Sequence, residues 1–389
     1  MTDLGDELFA AILAAPDEDG PRLVYGDHLL ARGDVHGELI QIQCSNSPDS
    51  ALRRREAELV ADRARWLGRL APYAKKFAMR RGFLDELTLE GRRLPAVPAR
   101  LAELFADPRV ALLRSLSITQ SELGVAAARA LADALGKTLA RLRELSLDRN
   151  ALGDEGAALL APAAGRLATL HLTNAAIGDA GARALAQGQG ATLRDLDLCF
   201  NAIGPAGATA LARSPRLAHL ARLDLTSNPL EAEGAVQFAE RLALPALRDL
   251  DLSWCDLGPE AAALGAAPCL ANLVKLDLCG NDLGDEGFAR LLESPHLGHL
   301  EELMVGDNAL GDAALAALCA RADALPALTH LRLENNPITD AGMQQLCKSR
   351  LLSQLRRVGV WGGHALSPAG KALYVDTFGK WRATGWPGD

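Results

Sequence analysis

The sequence predicts an α/β fold: a horseshoe solenoid of strand, corner and helix units with a parallel concave sheet and outer helices, preceded by a small all-α module. Three observations point to it. A template L-x-x-L-x-L-x-x-N-x-L, written out from Leu142 to Leu152, returns along the chain. Its first leucine recurs at Leu167, Leu193, Leu220, Leu247, Leu273, Leu300 and Leu328, with weaker copies from Leu84, Leu113 and Leu355. These eleven starts run from 84 to 355, in steps of 25 to 29 residues, and a near-constant period of that size marks a stacked repeat array. Within each copy, as in Leu145-Ser146-Leu147, apolar and polar residues alternate, which is the signature of a short strand with one buried face. Finally, residues 1–50 do not repeat and hold two basic against ten acidic side chains, whereas 51–82 hold ten basic and three acidic, so boundaries show in the charge alone.

In chain order, residues 1–50 form the helical module. Leu8-Phe9-Ala10-Ala11-Ile12-Leu13 reads as one short helix, Pro16-Asp17-Glu18-Asp19-Gly20 as a turn, and Pro21 to Leu30 as a second helix, the module continuing to Gln43. Residues 51–83 read as a basic amphipathic helix over 51–70 followed by a linker. Leu52, Leu59, Val60, Trp66, Leu67 and Leu70 share its stripe, and Arg53, Arg54, Arg55, Arg63, Arg65 and Arg69 cover the remainder. A bridge from the acidic module to the first repeat is the leading reading; contact with a membrane surface, nucleic acid or a partner helix are the alternatives.

The array occupies 84–366 in about eleven units. After each strand, asparagine holds the corner at Asn150, Asn201, Asn228, Asn281, Asn308 and Asn336, where an amide can serve backbone groups that a tight turn buries. Ser121, Ala175 and Cys255 depart from this, and Ala175 predicts a weaker corner unless Asn174 substitutes. Helices then start at Gly153, Gly178, Gly204, Gly258, Gly284, Gly311, Thr339 and Ser367, all acceptable N-caps. The next residue is Asp (Asp154, Asp179, Asp285, Asp312, Asp340) or Pro (Pro205, Pro259, Pro368), each suited to a first helical turn. Residues 367–389 form a helical cap carrying Tyr374, Phe378 and Trp381 on one face, with Trp361 and Trp386 nearby.

These repeats resemble the leucine-rich repeat proteins. The long period is similar to their ribonuclease-inhibitor-like class, which includes ribonuclease inhibitor and the Ran GTPase-activating protein. The resemblance covers about residues 84–375 and implies a protein-binding solenoid. The string from Ala14 to Asp34 resembles the bacterial repeat-companion domain, a short module found ahead of repeat arrays, with Gly26 and His28 standing where Ala and Trp are expected. That family brings no assigned activity.

Composition excludes several classes. With 49% hydrophobic and 23% charged residues, the chain is too apolar for disorder, and it lacks the run of about 18 apolar residues that a membrane helix needs. Its acidic start lacks the positive charge of a signal peptide, so a cytoplasmic location is expected. Seven scattered cysteines without a C-x-x-C fit reduced thiols. A net charge of −8 argues against nucleic acid as the main partner. Asp27, His28 and Asp34 invite a general-base reading, but adjacent helical residues point about 100° apart and no nucleophile accompanies them. His296 and His299 could hold a metal only on one helix, and the repeat register places His299 just before a strand. No phosphate loop, nucleophile elbow or metal motif is present, and no cofactor is expected.

The exposed strand positions carry what remains. One column reads Thr88, Ser117, Ser146, His171, Asp197, Asp224, Asp251, Asp277, Met304, Arg332, Gly359; the column two residues earlier reads Asp195, Arg222, Asp249, Lys275, Glu302, His330. Just beyond the strands stand Phe200 and Trp254, two units apart. Asp197, Asp224, Asp251, Asp277, Asp195, Asp249, Phe200 and Trp254 are therefore the candidate partner-binding residues, against the alternative that the aspartates are solvated decoration. The expected function is a non-enzymatic, monomeric scaffold that binds a protein partner with a basic surface on the concave face, without nucleic acid or membrane. The alternative is a regulator of a small Ras-like GTPase, by analogy within the repeat class.

Overall fold

In a three-residue strand such as Asp195-Leu196-Asp197 the middle leucine is buried on one side and the two residues flanking it stand on the other, and the chain repeats this arrangement. In the computed structural model the described residues are 3–45, 49–90, 101, 103, 105–188, 190–360 and 366–378. They fall into two units: Met1–Leu152 with Arg166–His171, and Gly153–Gly165 with Leu172–Asp389.

The first unit opens with helices α1 (Leu4–Ala14), α2 (Asp19–Ala31), α3 (Val35–Cys44), α4 (Ser50–Ala61) and α5 (Arg63–Leu67). Two features differ from the sequence reading. The module has a third helix, α3, capped by Asp34, whose carboxylate accepts from His36 N. The single helix expected over 51–70 is broken at Asp62, which accepts from Arg65 N and starts α5, and residues 68–70 form a short 3-10 turn. The α2–α3 crossing is close: a Cβ on Gly37 of α3 would overlap the Gly26 carbonyl, and a Cβ on Gly26 would come within 3.2 Å of the Ile40 side chain.

The expected linker contains strand β1 (Ala74–Arg80), antiparallel to β2 (Phe83–Glu90). Between them Arg81 and Gly82 both take positive φ (53° and 84°), the type I′ geometry that matches strand twist. The module grips this hairpin tip: Gly82 N donates to Gln43 Oε1 and His36 Nε2 donates to Gly82 O, both at 2.7 Å. Ile12, Leu29, Ile40, Phe83 and Leu112 form one buried cluster; Leu39, Leu59 and Trp66 form another against Phe77 and Met79. Beyond β2 run parallel strands β3 (Ser115–Thr119), β4 (Glu144–Ser146) and β5 (Thr169–His171). Strand β1 and the module thus occupy the edge that β2 would otherwise expose. Arg55 lies bidentate on Glu38 (2.7 and 2.8 Å) and Arg81 meets Asp19 at 3.1 Å, so the basic segment neutralises part of the acidic module.

In the second unit, strands β6 (Asp195–Asp197), β7 (Arg222–Asp224), β8 (Asp249–Asp251), β9 (Lys275–Asp277), β10 (Glu302–Met304), β11 (His330–Arg332) and β12 (Arg357–Gly359) pair in sequence order, all parallel. Their central residues Leu196, Leu223, Leu250, Leu276, Leu303 and Leu331 are buried. Helices alternate with the strands, among them Gly153–Leu160, Asp179–Gln187, Pro205–Ala212, Glu231–Arg241, Gly284–Leu292, Asp312–Ala320, Asp340–Lys348 and Pro368–Phe378. Gly258–Ala266 is a 3-10 helix instead. In the last of these helices Tyr374 donates to Val358 O and packs on Phe378; Trp361, Trp381 and Trp386 lie outside the described residues.

Corner asparagines join neighbouring units. Asn281 Nδ2 donates to Leu278 O of its own strand end (3.0 Å) and to Leu252 O of the preceding unit (2.8 Å), while its Oδ1 accepts from Cys255 N and Leu257 N. Asn150, Asn201 and Asn336 repeat this pattern. At the substituted corners, Cys255 Sγ reaches Leu225 O at 3.1 Å, and Ala175 N is held by Asn201 Oδ1.

The first-turn aspartates also reach across units. Asp154 Oδ1 accepts from Gly178 N and Gly181 N of the following helix start, and Asp179 Oδ1 from Gly204 N and Gly207 N, at 2.7–2.9 Å. A Cβ on Gly181 or Gly207 would come within 2.7 or 2.6 Å of that carboxylate. Where Ala314 takes the glycine's place, its bond to Asp285 lengthens to 3.2 Å. Each carboxylate therefore caps the next helix rather than only its own.

Asn201→Ala and Asn281→Ala should each cost about 1–3 kcal/mol, because buried backbone groups lose their partners. The loss should appear as a lower urea midpoint with faster amide exchange around the altered corner; parent-like midpoints would remove asparagine from this role. Gly82→Ala should destabilise by about 1–3 kcal/mol through overlap with Ile40 and an unfavourable φ, measured the same way; an unchanged midpoint would show that the hairpin tip is not held against α3.

Candidate functional site

On the face of β6–β9 opposite the buried leucines, strand register sets two columns side by side. Asp195 pairs with Arg222, Arg222 with Asp249 and Asp249 with Lys275; Asp197, Asp224, Asp251 and Asp277 follow in the second column. Arg222 bridges the columns, 3.1 Å from Asp195, 2.7 Å from Asp224 and 3.7 Å from Asp249, and Lys275 lies 3.8 Å from Asp249. Six carboxylates meet two cations, so the patch holds a formal −4.

Geometry separates the four aspartates of the ladder. Each turns one oxygen onto the backbone N–H two residues later, at Cys199, Thr226, Ser253 and Cys279, closing the strand end. Thr173 Oγ1 donates to Asp197, Cys199 Sγ to Asp224 and Thr226 Oγ1 to Asp251, so the preceding unit supplies a further donor. Asp224 and Asp277 are buried, at 5% and 8% exposure, while Asp197 and Asp251 are half-buried. Burial first, and then the charge of Asp251, pushes the Asp277 carboxyl up to about 6. Burial also raises Asp249, against the pull of Lys275 and Arg222. Neither a bare solvated ladder nor a set of free carboxylates describes these residues: they close strand ends, and half of them keep an outward edge.

Phe200 and Trp254 are 59% and 54% exposed. Two strand spacings separate them, about 10 Å. Both take positive φ (54° and 57°), as do Arg149, Asn174, Ser227, Asp307 and Asn335 at the same place in other units, so the strained backbone belongs to the corner and not to a reaction. The Trp254 indole lies over Gly280, where any Cβ would overlap the ring.

Other candidates resolve into structural roles. Asp27 accepts from Gln41 Nε2, Asp34 caps α3, and His28 approaches Arg32 at 3.5 Å, so they form no catalytic array. His296 and His299 lie in turns, off any helix. Asp197, Cys199 and Asp224 crowd within 4.8 Å, but Arg222 already holds Asp224, and burial plus the Asp224 charge raises the Cys199 thiol, which stays protonated and donates.

The raised Asp277 carboxyl has a pH consequence. Between its ordinary value of 3.8 and about 6 the folded protein keeps a proton that the unfolded chain has released. The resulting stabilisation is fully present below pH 4 and is lost as pH rises through 6. Asp277→Asn, which preserves the bond from Cys279 N, should flatten the fall in stability between pH 4 and 7 by about 2 kcal/mol, measured from urea midpoints across that range. Parallel pH profiles for variant and parent would sink this account.

Comparison with known proteins places these features. A family model described as "Leucine Rich repeat" matches residues 141–161, 167–186, 191–212, 216–239, 244–263, 269–291, 296–319 and 325–347. Ribonuclease inhibitor of Sus scrofa is 29% identical over 263 residues, 64% of this chain and 58% of the relative; that of Mus musculus is 30% identical over 253 residues, 61% of this chain and 55% of the relative. The chain thus spans little more than half the length of these relatives. In the solved complex of Rad7 and Elc1 from yeast, one chain aligns over 95% of this chain and 96% of its own length, at 18% identity and a TM-score of 0.46. The matched segments coincide with the alternating strands and helices described above, so residues 141–347 carry leucine-rich repeats, each a strand, a corner and a helix, and an all-helical segment comes earlier in the sequence.

Proposed function

We propose that this protein is a non-enzymatic scaffold that binds a protein partner with a basic surface on the strand face of β6–β9. The observation that carries the reading is the pair of exposed aromatics, Phe200 and Trp254, standing at the edge of a −4 patch. Aromatic side chains dominate hot spots, and a one-signed field steers a complementary partner. Asp195, Asp197, Asp249 and Asp251 supply the outward carboxylate edges; Asp224 and Asp277 hold the strand ends that present them. Ribonuclease inhibitor, by its name, acts on another protein, which supports the same use of a similar array.

Within this proposal the repeats are of the ribonuclease-inhibitor-like class, the module is a repeat-companion domain, and the chain acts as a monomer in the cytoplasm. Seven free cysteines, several with thiols raised by burial, fit a reducing compartment. Among the described residues no helix is long and apolar enough to cross a membrane. An acidic face disfavours nucleic acid. No feature of the site favours regulation of a Ras-like GTPase.

The test compares the parent with Phe200→Ala/Trp254→Ala and with Asp195→Asn/Asp249→Asn, using partners captured and identified by cross-linking mass spectrometry. The aromatic pair should lose at least tenfold in affinity, and the amide pair should lose most of the salt dependence of binding. Parent affinity in both variants for every identified partner would reduce the face to decoration.

A further inference from the structure

Within the first unit, the turn between α1 and α2, the β1–β2 hairpin tip and the chain ahead of β4 converge on a cleft of about 30 Å³. An ordered water needs about 10–15 Å³, so the cleft takes two oxygen-sized atoms and opens outward. Arg22 forms its inner wall. That side chain is only 4% exposed, its guanidinium lies 5.7 Å from the Phe83 ring centre, and Nη1 donates to Glu18 O at 2.9 Å. Its Nε is buried without a hydrogen-bond partner among the described residues.

The surrounding charge compensates this cation only in part, the Asp19 and Asp17 carboxylates acting on it against repulsion from Arg81. Arg80, Arg81, Arg114 and Arg141 line the same cleft. Asp85 is committed to Arg114 through two bonds of 2.6 and 3.0 Å, Asp17 to Arg141 at 2.9 Å, and Asp19 to Arg81 at 3.1 Å. Five arginines thus share three carboxylates, a local +2. Burial, followed by repulsion from Arg81, lowers the Arg22 guanidinium from its ordinary value, as expected of a buried cation short of counter-charge.

We propose that this cleft binds an oxyanion, the carboxylate or phosphoryl group of a ligand, with Arg22 Nε and Arg141 as its donors. Two oxygens fill the space available, and a guanidinium fork is matched to them. A water satisfies one N–H but leaves the +2 in place; an anion satisfies the N–H and also lowers that charge. Asp17, with 79% of its side chain exposed, already lies on Arg141 from the solvent side and competes with an incoming anion. The site is independent of the strand face of the second unit, so either reading can fail alone.

The test uses the full chain labelled with 15N-arginine, titrated with inorganic phosphate and separately with acetate, and followed at the arginine Nε–H resonances. The Arg22 signal, assigned by its loss in Arg22→Gln, should shift saturably. Arg141→Gln should weaken that response at least tenfold, and Asp17→Asn should tighten it severalfold. If Arg22→Gln fails to fold, these two exposed-side variants still decide the matter, because the responsive signal must follow both. A response to phosphate alone identifies a phosphoryl ligand, and an equal or stronger response to acetate a carboxylate. No saturable shift with either probe, or one indifferent to Arg141 and Asp17, would overturn the proposal and leave an ion-pair network with a water at Nε.

Discussion

A tight corner every 27 residues or so buries amide and carbonyl groups that no helix or strand can serve, and the structure depends on how they are satisfied. A corner cannot satisfy itself. Asn201 supplies amide hydrogens to Leu172 O, Leu198 O and Cys199 O while its oxygen takes Ala175 N and Ile177 N, so five backbone groups from two units converge on one side chain. Each unit is folded, in the sense of having its polar groups paired, only once a neighbour is in place. This explains why the apolar residues can be so uniform: leucine needs only to fill volume, and the register is fixed by asparagine and by the aspartates at the helix starts.

The array was legible in the sequence because its determinants recur in register. Leucine spacing, corner asparagine and glycine helix starts could be aligned without structural knowledge. Unrepeated features were read less well. Strand β1 was hidden in a linker, although Phe77 and Met79 alternate with Lys76, Ala78 and Arg80, because Arg81-Gly82 is not one of the commonest hairpin turns. Asp62 lies inside the stretch expected as one helix and is the cap that breaks it. The Arg22 cleft joins residues 17, 22, 80, 81, 114 and 141, whose proximity no local pattern announces. In the strand columns the residues were identified and their alternation was visible, but not the deeper burial of Asp224 and Asp277, because burial depends on the size of neighbouring side chains rather than on period.

The aspartates of β6–β9 illustrate how one residue type serves two ends. An oxygen directed at its own strand end is a structural acceptor; the other oxygen, if outward, is part of a field. Arg222 ties the two together, since it pairs with Asp195 and Asp249 in one column and Asp224 in the other. A partner that engages this face competes with Arg222 for the same carboxylates, and the ladder's negative charge is held at fixed spacing by backbone bonds rather than by flexible stems. Such fixed charge favours selectivity among partners over strength of binding.

The cross-unit caps make the order of repeats matter. A unit that begins with aspartate projects its carboxylate into the following unit, where Gly181, Gly207, Gly342 and Gly370 leave room for it; a unit that begins with proline instead meets Gly234 or Gly287 with a ring. Aspartate and proline starts thus make two kinds of joint, and the helices that begin at Val125 and Glu231 follow neither, so a copy duplicated or deleted by recombination is silent only when the joints on either side still match. The lengthened bond at Ala314 marks a joint where the match has loosened without being lost. The array carries, in residues that touch no ligand, a grammar of which repeats can follow which, and its length can change most freely at the joints where that grammar is already relaxed.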